Sequence, residues 1–182
     1  YEIAQCLVGS EMCIRDRTEI SESKCMEEIM ALRKIVTKED PILRKACKPV
    51  EKFDEKLSDL IDDMIQTLAK AQGVGLAAPQ VGFLKRIFIM DIGEGPIECV
   101  NPVILKENGK QRVVEGCLSC PDEWGYVTRP NKVKLRAQNR KGEFFEISLV
   151  GLGAQCASHE NDHLDGRLFI DKVEEFINPE EE

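Results

Sequence analysis

His159-Glu160-Asn161-Asp162-His163 contains both histidines of this 182-residue chain. On a helix, residues four apart stand one above the other, so the two imidazoles converge on one point. Glu160, turned by about 100° from His159, flanks the open side. A metal-dependent hydrolase needs this arrangement: two nitrogen ligands and a carboxylate able to exchange a proton with water. Chance placement of the same pattern on a solvated helix face is the bland alternative, and the remainder of the chain has to decide. No other imidazole exists, so a third protein ligand must be a cysteine or a carboxylate.

Downstream, His163-Leu164-Asp165-Gly166-Arg167-Leu168-Phe169 begins like the extended metzincin signature but has Phe169 where a third histidine should stand, which removes that reading. Glu174 and Glu175, in an acidic end, are weak candidates for a thermolysin-like third ligand. Upstream, Glu115-Gly116-Cys117-Leu118-Ser119 places a thiol after a glycine at the end of an apolar stretch. A Cys, His, His set with one open position suits zinc or ferrous iron, although a single free cysteine is by default a small buried hydrophobe. Cys117-x-x-Cys120 also has the spacing of a zinc knuckle or redox pair, but there is no second such pair and Cys120 precedes Pro121.

A third segment is Gly73-Val74-Gly75-Leu76-Ala77-Ala78-Pro79-Gln80. It lacks the Gly-Lys-Ser/Thr of a phosphate loop and a third glycine at dinucleotide spacing. Its small residues permit close backbone approach by something extended, such as a peptide; taken alone, it is equally a helix cap and turn.

Together and in this order, the three segments resemble peptide deformylase, matching its GxGxAAPQ, EGCLS and HExDH motifs over roughly Met30 to Val173. The resemblance implies one divalent ion held by Cys117, His159 and His163. The ion is most often Fe2+ in the family, while Zn2+, Ni2+ or Co2+ would satisfy the same ligands. It implies Glu160 as general acid/base, and Gln80 with the Leu118 backbone N–H as the oxyanion site. The reaction implied is hydrolysis of the N-formyl group from N-formylmethionyl nascent peptides, releasing formate, with transient ribosome contact and no direct nucleic-acid binding. Cys120 and Ser158 depart from the commoner family residues, which touches pocket detail and not the reaction. The resemblance also raises Val74, Leu152 and Cys156 to side-chain contacts with substrate and makes Gly75 a backbone partner. Charge and nearness to the motif suggest that Arg129 pairs with Glu115 behind the ligands.

The surrounding pattern predicts an α+β fold, with mixed or antiparallel sheets packed around a central metal-binding helix. Phe53, Leu57, Leu60, Ile61, Met64 and Leu68 recur at helical spacing, predicting a long amphipathic helix from Glu51 to Ala71 that ends at Gly73. Strands are expected at Ile87–Met90, Val100–Leu105, Val113–Val114, Val133–Arg136 and Phe144–Leu149, separated by Gly, Pro, Asn and Lys-Gly turns. From Gly151 the period turns helical again, and Leu152, Cys156, His159 and His163 share one face. Trp124, the single tryptophan, is a candidate for the groove edge.

Residues 6–17 read as translated sequencing adapter, since Met12 to Arg17 can be encoded by a transposon-end sequence. The expected organisation is a non-native leader at 1–29, one catalytic domain at 30–173 starting at Met30 rather than Met26, and an acidic tail at 174–182. Without 1–29, which hold 3 of 25 basic and 7 of 33 acidic residues, the net charge falls from −8 to −4. About 150 residues suffice for one core. No apolar run approaches a membrane span. The five cysteines beyond the leader form no paired framework, and a thiolate ligand favours a reducing cytoplasm. Two rivals remain: a non-catalytic peptide-binding or metal-storage module, and a zinc aminopeptidase or protease using the His-Glu-x-x-His helix alone.

Overall fold

The computed structural model describes residues 32–177. The first long element is α1 (Glu55–Ala71). It starts four residues later than the periodicity predicts, because the Asp54 side chain accepts the Leu57 N–H at 3.1 Å and so closes the helix behind itself. At the other end Gln72, not a glycine, takes the left-handed conformation, at φ 52°. Leu57, Leu60, Ile61, Met64 and Leu68 are buried. At about 1.5–3 kcal/mol for each fully buried aliphatic side chain, packing rather than propensity holds this helix.

Among the described residues, eight strands follow in two sheets. One has the order β1 (Gly75–Ala77), β2 (Ile87–Asp91), β3 (Pro96–Asn108), β6 (Lys132–Gln138) and β7 (Phe144–Val150). The other is β4 (Gln111–Cys117), β5 (Cys120–Arg129) and β8 (Glu175–Ile177). All pairings within both sheets are antiparallel. Ile87–Met90 reads as an unbroken apolar run because both faces of β2 are covered. Phe88 and Met90 pack in the cluster that includes Ala154, Cys156 and Ala157 of α2 (Leu152–Leu164), whereas Ile87 and Ile89 pack with the apolar face of α1.

Helix α2 lies inside the molecule, with ten of its thirteen residues buried. Gly153, Ala154, Ala157 and Ser158 keep it slim enough for its neighbours to close around it. A third cluster, formed by Leu43, Cys120, Val127, Leu168 and Phe169, lies under the smaller sheet.

Three strands were not foreseen: β1, β5 and β8. β1 carries too few side chains to show a period. In β5, Pro121, Asp122, Glu123 and Gly125 mask the alternation. Glu175–Ile177, beyond the expected boundary at Val173, pairs with Tyr126, Gly125 and Trp124. Backbone pairing, which needs no apolar pattern, draws in a stretch that looks like a solvated tail. The expected leader, both candidate start methionines and residues 178–182 lie outside the described residues. Among the described residues, no helix is long and apolar enough to cross a membrane.

Candidate metal centre and active site

His159 and His163 project from one face of α2 with ring centroids 5.0 Å apart. Cys117 ends β4 at the tip of a hairpin whose two-residue turn is Leu118-Ser119. The hairpin brings the Cys117 Sγ to 3.2 Å from the His163 Nε2. The sulfur and the two imidazoles each offer one donor atom, all within 4.8 Å of one another.

The donor chemistry fits a divalent ion. With bonds of about 2.3 Å to sulfur and 2.0–2.1 Å to nitrogen, two tetrahedral ligands lie about 3.5 Å apart, near the observed separation. Burial, and then the neighbouring His159, push the His163 pKa well below its ordinary value, so this imidazole is neutral, as a ligand must be. The Cys117 thiol is pushed up by its interaction with Cys120 and by burial, so a cation is what would hold it as a thiolate.

Behind the cluster is an ion-paired support. Arg129 donates from Nε and Nη2 to the two oxygens of Glu115 at 2.8 and 2.9 Å, and from Nη1 to Asp162 Oδ2 at 2.5 Å. Glu115 Oε2 lies 2.9 Å from His159 Nδ1. This carboxylate fixes the ring with its proton on Nδ1 and its Nε2 lone pair towards the cluster. Burial alone would raise the Glu115 carboxyl, but the hydrogen bonds from Arg129 and His159 outweigh it and hold the group down at about 2. Lys172 closes the far end, donating to both Asp162 oxygens at 2.7 and 2.8 Å. The Glu115–Arg129 pair was expected from charge. Asp162 lies inside the histidine motif, where spacing assigns it no role, and Lys172 carries no sequence signal, since only the turn after α2 returns it to the helix.

Arg129 is 2 % exposed, so removing it takes the guanidinium from buried Glu115 and leaves Asp162 with Lys172 alone. We expect Arg129→Met to lower the stability of the protein by about 3–5 kcal/mol, read from its urea midpoint. Unchanged stability would mean that the network carries no weight.

Glu160 lies beside the ligand cluster and lines a cleft of about 610 Å³. It is buried, and its Oε2 has no hydrogen-bond partner. Burial first, with Glu115 and Asp162 adding to it against His159 and Arg129, pushes its pKa up to about 7. A carboxylate tuned near neutrality can both take and return a proton. Gln80 is 1 % exposed and anchored through its Oε1, which accepts the Ala77 N–H at 2.8 Å. Its Nε2 faces Ser119 Oγ at 3.2 Å and Cys117 Sγ at 3.5 Å. Ser119 is a neighbour that the motif contained but whose contact with Gln80 sequence alone did not suggest.

Val74, Gly75, Leu118, Leu152 and Cys156 line the same cleft, and Trp124 stands at its edge, 42 % exposed. Leu152 is 52 % exposed, so it forms rim rather than wall. A Cβ on Gly75 would lie 2.3 Å from Glu160 Oε1 and 2.7 Å from Cys156 Sγ. The glycine is therefore demanded by the carboxylate behind it, a constraint separate from any approach of substrate. We expect Gly75→Ala to displace Glu160 and lower kcat/KM by up to about 10²-fold at unchanged metal content. A variant as active as the parent would contradict this close approach.

Phe169, which took the place of a third histidine in the sequence, is 1 % exposed and stacks on His159 with ring centroids 6.0 Å apart. It is a wall of the centre.

A buried helix presenting two imidazoles to a thiol, with an unpaired carboxylate facing a cleft, defines the protein as a metal-dependent hydrolase. Comparison with known proteins gives the particular kind. The polypeptide deformylase family model matches residues 32–178. A peptide deformylase from Caldicellulosiruptor bescii is 57% identical over 152 residues, covering 84% of this chain and 92% of that one. Among solved structures, the peptide deformylase of Thermotoga maritima superposes with a TM-score of 0.77 at 44% identity, covering 79% of this chain and 98% of that one. That of Legionella pneumophila gives 0.77 at 46% identity, covering 79% and 86%. This chain belongs to the polypeptide deformylase family, enzymes that remove the N-formyl group from newly made polypeptides.

Proposed function

We propose that deformylation by this chain is carried out at the cleft, with Cys117, His159 and His163 as the metal ligands and Glu160 as general acid/base. The observation that carries the assignment is the buried, unpartnered Glu160 Oε2 beside the cluster of three donor atoms. When bound, a divalent ion polarises a carbonyl oxygen and lowers the pKa of water from 15.7 towards about 7.

The chain's own groups do the rest. Glu160 accepts a proton from the attacking water as it adds to the formyl carbon, and later delivers it to the departing amino nitrogen, freeing formate and the new amino terminus. Gln80 Nε2 and the Leu118 N–H stabilise the charge that develops on the formyl oxygen, each such donor contributing about 3 kcal/mol. Val74, Leu152 and Cys156 receive the methionine side chain, and the Gly75 backbone pairs with the extended peptide. Glu115 and Arg129 are positioning residues that hold the His159 ring.

The finer reading is that Fe2+ is the native ion, that the domain begins near Met30, and that the enzyme works in the cytoplasm on chains leaving the ribosome. A reducing compartment is supported by the thiol in the ligand set. Formate release from an N-formylmethionyl peptide, measured beside hydrolysis of the unformylated peptide, tests the activity. Formate from the first with no cleavage of the second is expected. Cleavage of the second alone would replace this reading with an aminopeptidase.

A further inference from the structure

Five free cysteines lie among the described residues, and of these only Cys117 and Cys120 stand opposite one another. Cys117 and Cys120 are cross-strand partners on either side of the Leu118-Ser119 turn, just past a break in the ladder between Gly116 and Cys117. Directly opposed residues in an antiparallel pair have Cα atoms about 4.5–5.5 Å apart, inside the window of about 4.4–6.8 Å that a disulfide tolerates, with both side chains on one face. Cys117 packs against the apolar cluster that contains Cys120. Both border the cleft, but Cys117 is partly exposed and Cys120 only 1 % exposed, so a small oxidant reaching the centre meets Cys117 first, with Cys120 behind it. Cys156 also lines the cleft, but its thiol is turned to the Val74 carbonyl oxygen, 3.5 Å away. Cys47 and Cys99 are buried in the main core.

We propose that Cys120 is a resolving thiol for Cys117: oxidised Cys117 is captured as an intramolecular disulfide that a thiol reductant reopens. The oxidant class is a peroxide. The Cys117 sulfur attacks one peroxide oxygen, forming an S–O bond and breaking the O–O bond. Sulfur loses two electrons, and hydrogen peroxide is reduced to one water. The Cys120 sulfur then attacks the Cys117 sulfenic acid, forming the S–S bond, and the S–O bond breaks as hydroxide leaves with the Cys120 proton as a second water. Without Cys120, a sulfenic acid is open to further oxidation to sulfinic and sulfonic acids, which thiols do not reverse. The disulfide needs only the hairpin geometry, whereas loss of activity on oxidation also needs Cys117 to be a ligand, so the two ideas fail separately.

The test uses the zinc- or nickel-loaded full chain, treated with hydrogen peroxide and then divided, one half receiving dithiothreitol and fresh metal. Peptide mapping of the oxidised parent is expected to show a Cys117–Cys120 disulfide, with metal released and most activity regained after reduction. Cys120→Val, which keeps an apolar side chain in the cluster, is expected to accumulate Cys117 sulfinic and sulfonic acids and to regain less than about a tenth of the parent's recovery. Over-oxidised Cys117 in the parent, a disulfide to Cys156, or equal recovery by Cys120→Val would overturn the proposal. If the variant does not fold, the peptide map of the parent decides alone.

Discussion

Glu160→Ala is expected to retain its metal and to lose at least about 10²-fold in kcat/KM, the contribution expected of a positioned general base. The residue lies beside the donor cluster without being one of the three atoms that close on each other, so its removal leaves the proposed ligand set intact. Glu160→Gln is the sharper variant: it keeps shape and volume and removes only the capacity to accept a proton. The same substitution should move stability in the opposite direction. The folded-state carboxyl is raised from its usual 4.5 to about 7 by burial, so folding opposes its ionisation. The resulting penalty is absent below about pH 4.5, grows as pH rises towards 7 and is full above it, amounting to about 1–3 kcal/mol. Metal-free Glu160→Gln should therefore be more stable than the metal-free parent at pH 8 and indistinguishable from it at pH 4, as read by urea unfolding. Near-normal turnover in either variant would remove Glu160 from the mechanism.

How the site could be read before the fold was known depends on what each residue needs. His159, Glu160 and His163 lie within one and a half helical turns, so spacing alone fixes their mutual geometry. Cys117 is far from them in sequence, and only the scarcity of histidines and the company of its motif drew attention to it. Burial settles what spacing could not. The chance reading of a solvated helix face fails because α2 is enclosed, with His163 fully buried.

The support behind the ligands was legible in half. Glu115 opens the Cys117 motif and Arg129 follows it with the opposite charge, whereas Asp162 and Lys172 look like ordinary surface charges until α2 packs inward and the following turn folds back over it. Strands showed a similar division. Those with alternating or fully apolar patterns, such as β2 and β6, were visible, but β1 and β8, three residues each, are held by backbone pairing to neighbours that a one-dimensional pattern cannot name. Gly75 was noticed as permitting approach from the substrate side, and the structure adds a stronger demand from behind, since Glu160 and Cys156 occupy the space of a Cβ.

Cys117→Ala is expected to abolish metal retention, and activity with it. In the proposed centre the thiolate is the only anionic ligand, because His163 is held neutral by burial and the charge of Glu115 is engaged by Arg129 and His159. Loss of groups that merely orient a ligand typically costs 10–100-fold in affinity, so loss of the sulfur itself should cost more than about 10²-fold. The fold should survive, since Cys117 lies at the margin of the third cluster and alanine keeps its backbone place in the hairpin. Unchanged circular dichroism with an emptied site is the expected pair of observations. Cys117→Ser separates the remaining mechanisms. An aminopeptidase-like enzyme relying on His159, Glu160 and His163 alone would tolerate a hydroxyl there, whereas a centre built around a thiolate would not, because an alcohol does not ionise near neutral pH to supply the missing charge. Full metal occupancy in Cys117→Ala would exclude the cysteine as a ligand and return the choice to a carboxylate, of which Glu160, at the same cleft and without a partner on Oε2, would be the first to examine.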